Sequence, residues 1–471
     1  MTLLMRNLVK SMLLAALLVA GVSCEKQFEE TVEVQPENHV AADAVTSYEV
    51  SYEEALAKAD ALFAGIDGAT TRAGNRRVRN HELFRSGNRF TRTASDDAEA
   101  KFHIINYEDN AGFAMIAADK RATDIYAYSD TGNLCVDDAM ENSGFGVFLE
   151  GAIELYSKEL IRPLVNWNDS LPSKFIDSLG NNGGFIDLPG DKYGDIPYLG
   201  IEVIDGITYR VRLEMNKSIS KKEPLVPVEW DQCNPYNYYC PSCGWDSGKE
   251  KYYKGKCAAG CGPVAAAQIM AYHKHPASYS GHEFDWNAMT ESPKFLYNDN
   301  PDEDALMVAR LIREIGRVAK ADYGKSTGVT IANIKNMFPK FGYNITGADY
   351  DVDKVKISLY NNRPVYARGQ KKSGDGHAWV IDGYDHLVNR KTYYYNYAPY
   401  NVYDKRDFMN RIYVHCNWGW GGDGRNKNSD YSDNGYFLND AFVVTVGEGN
   451  NEEERDYTRN NKIIYNIYPK Q

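Results

Sequence analysis

A cysteine at the start of a predicted helix is the residue of this chain best suited to covalent chemistry. Cys261 lies in the sequence Gly-Cys-Gly-Pro at 260–263, and an apolar, alanine-rich run follows it at 264–270. The first N–H groups of a helix and its dipole stabilise a thiolate, and we expect Pro263 at the first helical position. The helix should end near Tyr272. The pattern predicts a nucleophilic thiol, although a small buried cysteine at a helix start would fit it as well.

A thiolate nucleophile needs a partner that takes and returns a proton near neutral pH, and histidine is suited to this role. His377 is the best candidate, because it follows a loop with two glycines at 373–376 and opens the apolar run 378–381. We expect a turn at 382–383 and a partner strand at 391–397. A histidine at such a junction of loop and strand is held firmly and still faces a cleft.

Two further segments offer the groups that a cysteine–histidine pair requires. Asn417 can accept a hydrogen bond from one imidazole nitrogen and fix its tautomer, while the indole of Trp418 shields that bond from water. The developing oxyanion needs hydrogen-bond donors, for which the backbone N–H of Cys261 and the side-chain amide of Gln232 are the expected pair. Taken alone, Gln232 would be interpreted as a surface glutamine.

At these residues the chain resembles the streptopain family of papain-like cysteine peptidases. The resemblance rests on four blocks, WDQCNPYN at 230–237, GC at 260–261 with AAAQIMAYH at 265–273, GHAWVIDG at 376–383 and NWGWGG at 417–422. It implies that Cys261 is the nucleophile, that His377 is the general base and acid, and that Gln232 is an oxyanion-hole donor. It further implies that Asn417 and Trp418 support the histidine. No cofactor and no metal ion are expected.

The fold implied by this resemblance is α+β, with a papain-like two-subdomain catalytic domain preceded by a small α+β pro-domain. The catalytic domain should consist of a helical half and an antiparallel β half, with the cleft between them. Helical periodicity indicates further helices at 303–321 and 331–338, and the half that follows is rich in strands, from one at 363–368 to one at 441–446. Such a layout would bring Cys261 and His377 together across the cleft.

The N-terminal part of the sequence indicates an exported protein. Residues 1–23 have the basic start, the short apolar core and the small-residue ending of a lipoprotein signal peptide, which makes Cys24 the expected lipidation site. Ordinary secretory cleavage nearby is the alternative. An acidic tether is expected at 24–50. We therefore expect an exported protein at the bacterial outer membrane or cell surface, or otherwise a periplasmic or secreted one.

A pro-domain is expected at 51–220 and the peptidase domain at 221–471. Within the pro-domain the patterns predict a helix from Tyr52, a hairpin of 102–107 with 113–118, a strand at 124–128 and an amphipathic helix of about 18 residues. A basic stretch near 72–92 is interpreted as an exposed linker. By family resemblance the pro-domain inhibits the enzyme until proteolysis near 216–223 removes it.

Composition and cysteine content limit the partners. The net charge of −12 and the pI near 5.4 argue against nucleic acid, which requires a basic surface. Four cysteines cluster within a short stretch, and in an exported protein we favour disulfides among them over a zinc site, with three pairings possible. They are Cys233, Cys240, Cys243 and Cys257.

The sequence therefore predicts an exported cysteine endopeptidase, made as a zymogen, that acts on proteins or peptides through an acyl-enzyme. An alternative from another class is a catalytically silent binding or inhibitory protein on the same fold, although the complete set of site residues argues against it. A zinc hydrolase built on the cysteine cluster and on His273 and His275 is a further alternative, but no HExxH helix supports it.

Overall fold

The computed structural model describes residues 48–67, 76–85, 99–134, 144–161, 200–245, 250–371, 374–396, 402–420, 432–443, 445–446, 455–456 and 461–471. Within them, residues from Tyr48 onward form one compact unit of helices and mainly antiparallel strands, which confirms the expected α+β class. No helix among the described residues is both long and apolar enough to cross a membrane.

The N-terminal module, here the described residues of 48–161, contains two helices and four strands. The predicted hairpin and the 18-residue helix are both present. The elements are α1 (Tyr52–Asp67), β1 (Val78–Arg85), β2 (Ala100–Tyr107), β3 (Phe113–Ala117), β4 (Ile125–Ser129) and α2 (Gly144–Ile161).

The C-terminal module, here the described residues from 223 onward, begins with a helical half. Its helices are α3 (Glu250–Tyr253), α4 (Cys261–His273), α5 (Trp286–Met289), α6 (Glu303–Val318), α7 (Ile331–Met337) and α8 (Val352–Tyr360). The amphipathic α6 illustrates why they form: Asp302 caps its N-terminus by accepting a hydrogen bond from Ala305 N at 2.9 Å. Apolar side chains at helical spacing, among them Ile312, are buried on its inner face.

Strands supply the rest of the C-terminal module and the connection between the modules. The connection is β5 (Gly200–Ile204) and β6 (Ile207–Lys222), and the main strands that follow are β7 (Ser278–Tyr279), β8 (His282–Glu283), β9 (Tyr343–Asp349), β10 (Val365–Gln370), β11 (Gly376–Tyr395), β12 (Val402–Asn417), β13 (Gly435–Leu438), β14 (Thr445–Val446), β15 (Arg455–Asp456) and β16 (Lys462–Pro469). Short 3-10 helices lie at Glu108–Asn110, Phe338–Phe341 and Asn439–Phe442.

One sheet runs through both modules. Its strand order is β1-β2-β3-β4-β13-β12-β11-β10-β16-β9, with β6 paired to the far part of β11 and β5 paired to β6. The modules meet where β4 pairs with β13, with Tyr128 opposite Tyr436 and Ala127 opposite Phe437. The N-terminal module is therefore part of the same hydrogen-bonded sheet as the site described below.

Two large cores lie against this sheet. The α4 core is built from α4, α6, α7 and the strand residues that face them, and the α2 core from α1, α2, β2–β4 and the strand residues that face those elements. Successive side chains of a strand point to opposite faces of the sheet, and β11 shows this alternation. Ala378 and Val380 belong to the α4 core, whereas Trp379 and Ile381 belong to the α2 core.

Several sequence-based expectations need correction. The turn expected at 382–383 is a register shift inside the single 20-residue strand β11, so 391–397 does not return as its partner and β12 takes that place. Asp382 there accepts a hydrogen bond from Val226 N at 2.9 Å, and its other oxygen lies 2.6 Å from His415 Nδ1. A buried, hydrogen-bonded Asp-Gly pair can thus continue a strand as a bulge.

The basic stretch 72–92 is not a linker throughout, because Val78–Arg85 forms β1 and pairs with β2. The expected processing region 216–223 lies largely within β6, where residues up to Lys222 pair with β11. At the end of the expected tether, Val50 is buried and its N–H donates to Ala118 O at 3.0 Å. The segment 441–446 is also not one strand, since a 3-10 helix ends at Phe442 before β14.

Candidate active site

Cys261 is the first residue of α4, as the sequence predicts, and its side chain is partly exposed. Gly260 caps the helix with φ of 95°, a conformation that favours glycine, and a Cβ there would lie 2.8 Å from Thr327 Cγ2. Pro263 is the third helical residue rather than the first. The helix ends at His273, one residue beyond the predicted end, where Lys274 takes a left-handed conformation.

The electrostatic environment of Cys261 favours its thiolate. Burial raises the pKa of the thiol, but three other effects outweigh it and the pKa is lowered overall. These are the charge of His377, a hydrogen bond with the His377 side chain, and hydrogen bonds with the backbone of Ala378 and Gly262. The structure therefore brings together the two residues that the sequence predicts as nucleophile and base.

His377 is the second residue of β11, opposite Gly369 of β10, and only 5% of it is exposed. Its Nε2 lies 2.9 Å from the carbonyl oxygen of Trp418. Because a carbonyl can only accept, Nε2 carries a proton, and Nδ1 is the nitrogen that can exchange a proton with the thiol. The ring also lies nearly parallel to those of Trp379 and Trp420, with centroid distances of 6.5 and 6.1 Å.

The expected hydrogen bond between His377 and the Asn417 side chain is wrong. Asn417 Nδ2 donates to Val228 O at 2.8 Å, while its Oδ1 accepts from Gln268 Nε2 at 3.1 Å and from Gly419 N at 3.2 Å. The next peptide carbonyl, that of Trp418, holds the imidazole instead. Trp418 thus contacts His377 through its backbone carbonyl, while Asn417 precedes Trp418 in the chain and makes its side-chain hydrogen bonds to other residues.

Trp418 is fully buried between the two modules. Its indole Nε1 donates to Asp433 O at 3.1 Å, and its backbone N–H donates to Asn434 Oδ1 at 2.9 Å. The ring packs against Trp379 and Phe437, with centroid distances of 5.3 and 4.9 Å. These contacts fix the carbonyl that orients His377 and keep water away from it.

Gln232 is buried, which excludes the alternative of a surface glutamine. Its carbonyl oxygen accepts a hydrogen bond from Ala259 N at 2.9 Å, which ties its segment to the loop that enters α4. Its Nε2 is buried and has no hydrogen-bond partner among the described residues. An unsatisfied buried amide donor is costly in a folded protein unless a ligand or intermediate uses it.

The N-terminal module reaches this site through Gly144, the first residue of α2. A Cβ at position 144 would lie 2.7 Å from His377 Cδ2 and would overlap the ring of Trp418. The backbone of α2 is therefore in van der Waals contact with both the imidazole and its support. No pattern in the sequence pointed to this glycine, because the contact joins segments far apart in the chain.

The cysteine cluster contains one disulfide, between Cys243 and Cys257. Cys233 and Cys240 are buried thiols, and burial raises the pKa of Cys240 to about 12. No group of three or more potential metal ligands is found in the described part of the chain. Disulfide use is thus correct for one pair only. The predicted lipidation site, Cys24, lies outside the described residues.

Gln268 is a site residue whose role the sequence reasoning missed. It is fully buried on α4, and it contacts both the segment before Gln232 and Asn417. One signal was available, since it is the sole non-apolar side chain in the run 264–271. A glutamine buried in such a helix must have hydrogen-bond partners elsewhere.

Comparison with known families gives two separate matches. The model of the Peptidase C10 family matches residues 230–426, which include Gln232, Cys261, Gln268, His377, Asn417 and Trp418. The model of the Spi protease inhibitor family matches residues 47–153, which correspond to most of the N-terminal module.

Relatives with known names cover much of the chain at low identity. Streptopain from Streptococcus pyogenes is 24% identical over 348 residues, which are 66% of this chain and 69% of streptopain. The thiol protease/hemagglutinin PrtT from Porphyromonas gingivalis is 23% identical over 410 residues, or 81% of this chain and 38% of PrtT.

Among solved structures, a prointerpain A fragment from Prevotella intermedia aligns with a TM-score of 0.48 and 18% identity. The alignment covers 83% of this chain and all of the fragment. Active interpain A from the same organism aligns with a TM-score of 0.35 and 20% identity, over 52% of this chain and 95% of interpain A.

Proposed function

This chain belongs to the streptopain family of cysteine peptidases, family C10, and from this premise we propose that it is an exported endopeptidase made as a zymogen. Its substrates are proteins or peptides. The observation that carries the proposal is the pairing of Cys261 with His377, which lowers the pKa of a thiol at a helix start. A structural cysteine buried in apolar surroundings would have a raised pKa, as Cys416 does here.

In the proposed reaction, His377 Nδ1 takes the proton of the Cys261 thiol and the sulfur attacks the carbonyl carbon of the substrate. Gln232 Nε2 and the backbone N–H of Cys261 donate hydrogen bonds to the oxyanion. The imidazolium gives its proton to the leaving amine, the C–N bond breaks, and a thioester remains. Water then gives a proton to His377 and attacks the thioester, and the carboxylic acid product leaves the thiolate behind.

The N-terminal module is proposed to be the inhibitory pro-domain, within the interval 51–220. Its similarity to the Spi protease inhibitor family supports this, as does the contact of Gly144 with His377 and Trp418. The peptidase domain then begins near 221, and processing falls in or next to β6. The signal peptide at 1–23, the lipidation of Cys24 and the acidic tether at 24–50 rest on the sequence alone.

The test compares the purified chain with its Cys261→Ser variant on an unfolded protein substrate. We expect cleavage to fall at least about 1,000-fold, because the acyl-enzyme can no longer form efficiently. If maturation is autocatalytic, the variant also stays full length. Cys416→Ala serves as the matched control, since Cys416 is a buried thiol opposite Ile381 that makes no hydrogen bond with His377 among the described residues.

Equal cleavage by Cys261→Ser and the parent would contradict the proposed mechanism. Iodoacetamide labelling of the processed parent provides an independent check. The label should be found on Cys261, because the thiolate is the form that reacts. A label mainly on another cysteine would contradict the assignment of the nucleophile.

A further inference from the structure

Gln268 takes no part in the reaction described above, yet its amide connects the segments that do. It is fully buried on α4, seven residues, or two helical turns, after Cys261. Its Oε1 accepts a hydrogen bond from Trp230 N at 2.8 Å, and its Nε2 donates to Asn417 Oδ1 at 3.1 Å.

Each of the two partners is close in the chain to a residue of the proposed reaction or to the residue that holds it. Trp230 lies two residues before Gln232, whose amide is the proposed oxyanion donor. Asn417 immediately precedes Trp418, whose carbonyl holds His377 Nε2 at 2.9 Å. The helix that carries Gln268 carries the nucleophile. One side-chain amide thus links the three segments on which the proposed reaction depends.

The orientation of this amide is determined by its surroundings. Asn417 Oδ1 also accepts from the backbone N–H of Gly419 at 3.2 Å, and Asn417 Nδ2 donates to Val228 O at 2.8 Å. Asn417 therefore presents an acceptor, and the group that faces it must be a donor. At the other end, the N–H of Trp230 requires an acceptor. An uncharged amide, with one donor and one acceptor end, satisfies both contacts, whereas a carboxylate can satisfy only the contact with Trp230 N.

We propose that Gln268 is a positioning residue for the cysteine–histidine reaction. It fixes the Trp418 peptide that orients His377 and the segment that carries Gln232, both relative to the helix of Cys261. This inference rests on the proposed function. Asn417 is then also a positioning residue, because it acts through Trp418 and has no side-chain contact with His377 among the described residues.

The variant Gln268→Glu tests this with almost no change in shape. One carboxylate oxygen can still accept from Trp230 N, but the other would face Asn417 Oδ1 without a proton to donate. Burial raises the pKa of a carboxyl group, so the proton returns as the pH is lowered and the donor is restored. We expect kcat/KM at neutral pH to fall about 100-fold, in line with the effect of misplaced reacting groups.

The decisive readout is the ratio of variant to parent at each pH, for kcat/KM and for the alkylation rate of Cys261 by iodoacetamide. The ratio should rise as the pH falls. Gln268→Met, which has a similar volume and neither hydrogen bond, should lower kcat per titrated active site about 10-fold or more without any such rise. Gln370→Glu should match the parent, because the side-chain amide of Gln370 donates to the nearby loop carbonyl of Gly374 and has no other hydrogen bond among the described residues.

A Gln268→Glu ratio that does not change with pH would overturn the proposal. It would also be overturned if Gln268→Met kept the parent kcat per active site while losing only thermal stability, since that is the result of a purely structural role. Should Gln268→Glu fail to fold, the Met variant alone decides. Failure of the proposed function would look different, because Cys261→Ser would then retain activity.

Discussion

The two faces of the central sheet differ in which part of the chain covers them. In the α4 core, every buried residue lies at position 228 or later and the partly buried ones at 226 or later, so this face is covered by the C-terminal module alone. The α2 core combines strand residues of the C-terminal module, such as Trp379 and Phe437, with residues of α1, α2 and β2–β4. One face is thus permanent, whereas the cover of the other comes in large part from the segment that the proposed processing removes.

The proposed active site lies where these two faces meet. Cys261 belongs to the helix that covers the permanent face, and Gly144 of α2 approaches His377 and Trp418 from the other. Removing the N-terminal module would leave Trp418 and Phe437, which are both 0% exposed, without a large part of their cover. The N-terminal module therefore contributes to the stability of the full-length chain, in addition to its proposed role as an inhibitor.

The N-terminal module is held to the rest of the chain by contacts that differ in whether the proposed processing would break them. In β6 the expected processing region pairs with β11, whereas the β4–β13 ladder and the packing of α2 lie in the buried interior. A single cut in β6 would leave both interior contacts in place. Release of the N-terminal module therefore requires a second step, the separation of β4 from β13.

The largest expected effect comes from Phe148→Ala, studied in the inactive Cys261→Ser background. Phe148 is 0% exposed, and its ring lies 4.9 Å from that of Phe437 and 5.6 Å from that of Phe442. The truncation should lower the free energy of unfolding by about 3–5 kcal/mol. Hydrogen exchange followed by mass spectrometry should show faster exchange in β4 and β13, with α4 less affected.

Ile312→Ala is the matched variant for the permanent face. Ile312 is also 0% exposed but belongs to the α4 core. It should cost about 2–5 kcal/mol and accelerate exchange mainly in α4 and α6. If the two variants accelerated exchange in both regions equally, the faces would form a single cooperative unit and the comparison would fail.

The sequence predicted what local periodicity determines. The 18-residue helix at Gly144–Ile161, the hairpin of β2 and β3, and the helix start at Cys261 all follow from patterns within one segment. His377 was predicted as the partner of Cys261 from its position between a glycine-containing loop and an apolar run, and the family resemblance supported the pairing, although no local pattern connects residues so far apart.

Tertiary contacts between segments distant in the sequence were not predictable from local patterns. The β4–β13 ladder joins strands about 300 residues apart, and neither strand contains a signal for its partner. Asn417 was assigned the contact that the adjacent carbonyl of Trp418 makes, because a sequence gives the residue types of a segment but not which atom faces the imidazole. The prediction also ended a strand at Asp382-Gly383, because the dipeptide alone does not reveal that Asp382 is buried. The strand in fact continues through a bulge at this point.

An intermediate effect is expected from Gly144→Ala, which tests how closely α2 must approach the site. The added Cβ would lie 2.7 Å from His377 Cδ2 and overlap Trp418, so part of the contact must open. Overpacking of this kind costs about 1–3 kcal/mol. If this cost weakens the packing of α2 against the site, Cys261 becomes accessible more often. Iodoacetamide should then label Cys261 in the full-length chain about tenfold faster for each 1.4 kcal/mol of lost packing free energy.

Gly65→Ala is the control for Gly144→Ala, because among the described residues a Cβ at position 65 of α1 would come within 4 Å only of Asn216 O, at 3.9 Å. Alanine in a helix should leave labelling unchanged and add about 0.5–1 kcal/mol of stability. Labelling has to be confined to chains that mass spectrometry shows to be uncut. Parent-like labelling of Gly144→Ala would mean that α2 does not restrict access to the thiol.

The smallest effect concerns a polar contact that joins both modules and the expected processing strand. Asp385 of β11 is 1% exposed and accepts hydrogen bonds from Tyr128 Oη at 2.8 Å and Ser218 Oγ at 2.6 Å. Burial raises the pKa of this carboxyl, and the two hydrogen bonds and the nearby Lys221 offset only part of the rise, to which Glu223 adds. Protonation of Asp385 is therefore more favourable in the folded chain than in the unfolded chain.

The sign of the pH dependence follows from this raised pKa. Stability from Asp385 is fully present below the unfolded value of about 4 and is lost as the pH rises through the folded value. Tyr128→Phe removes a donor that stabilises the charged form, so the pKa of Asp385 should rise further and the loss of stability at neutral pH should grow by about 1 kcal/mol.

Tyr413→Phe is the matched control, because its hydroxyl donates to the carbonyl of Ile125 at 2.8 Å, which does not titrate. Denaturant unfolding of both variants from pH 4 to 8, in the Cys261→Ser background, should give a pH-dependent difference only for Tyr128→Phe. Parallel curves for the two would show that Asp385 does not couple the modules to pH, and that the buried sheet contacts alone hold the removable face in place.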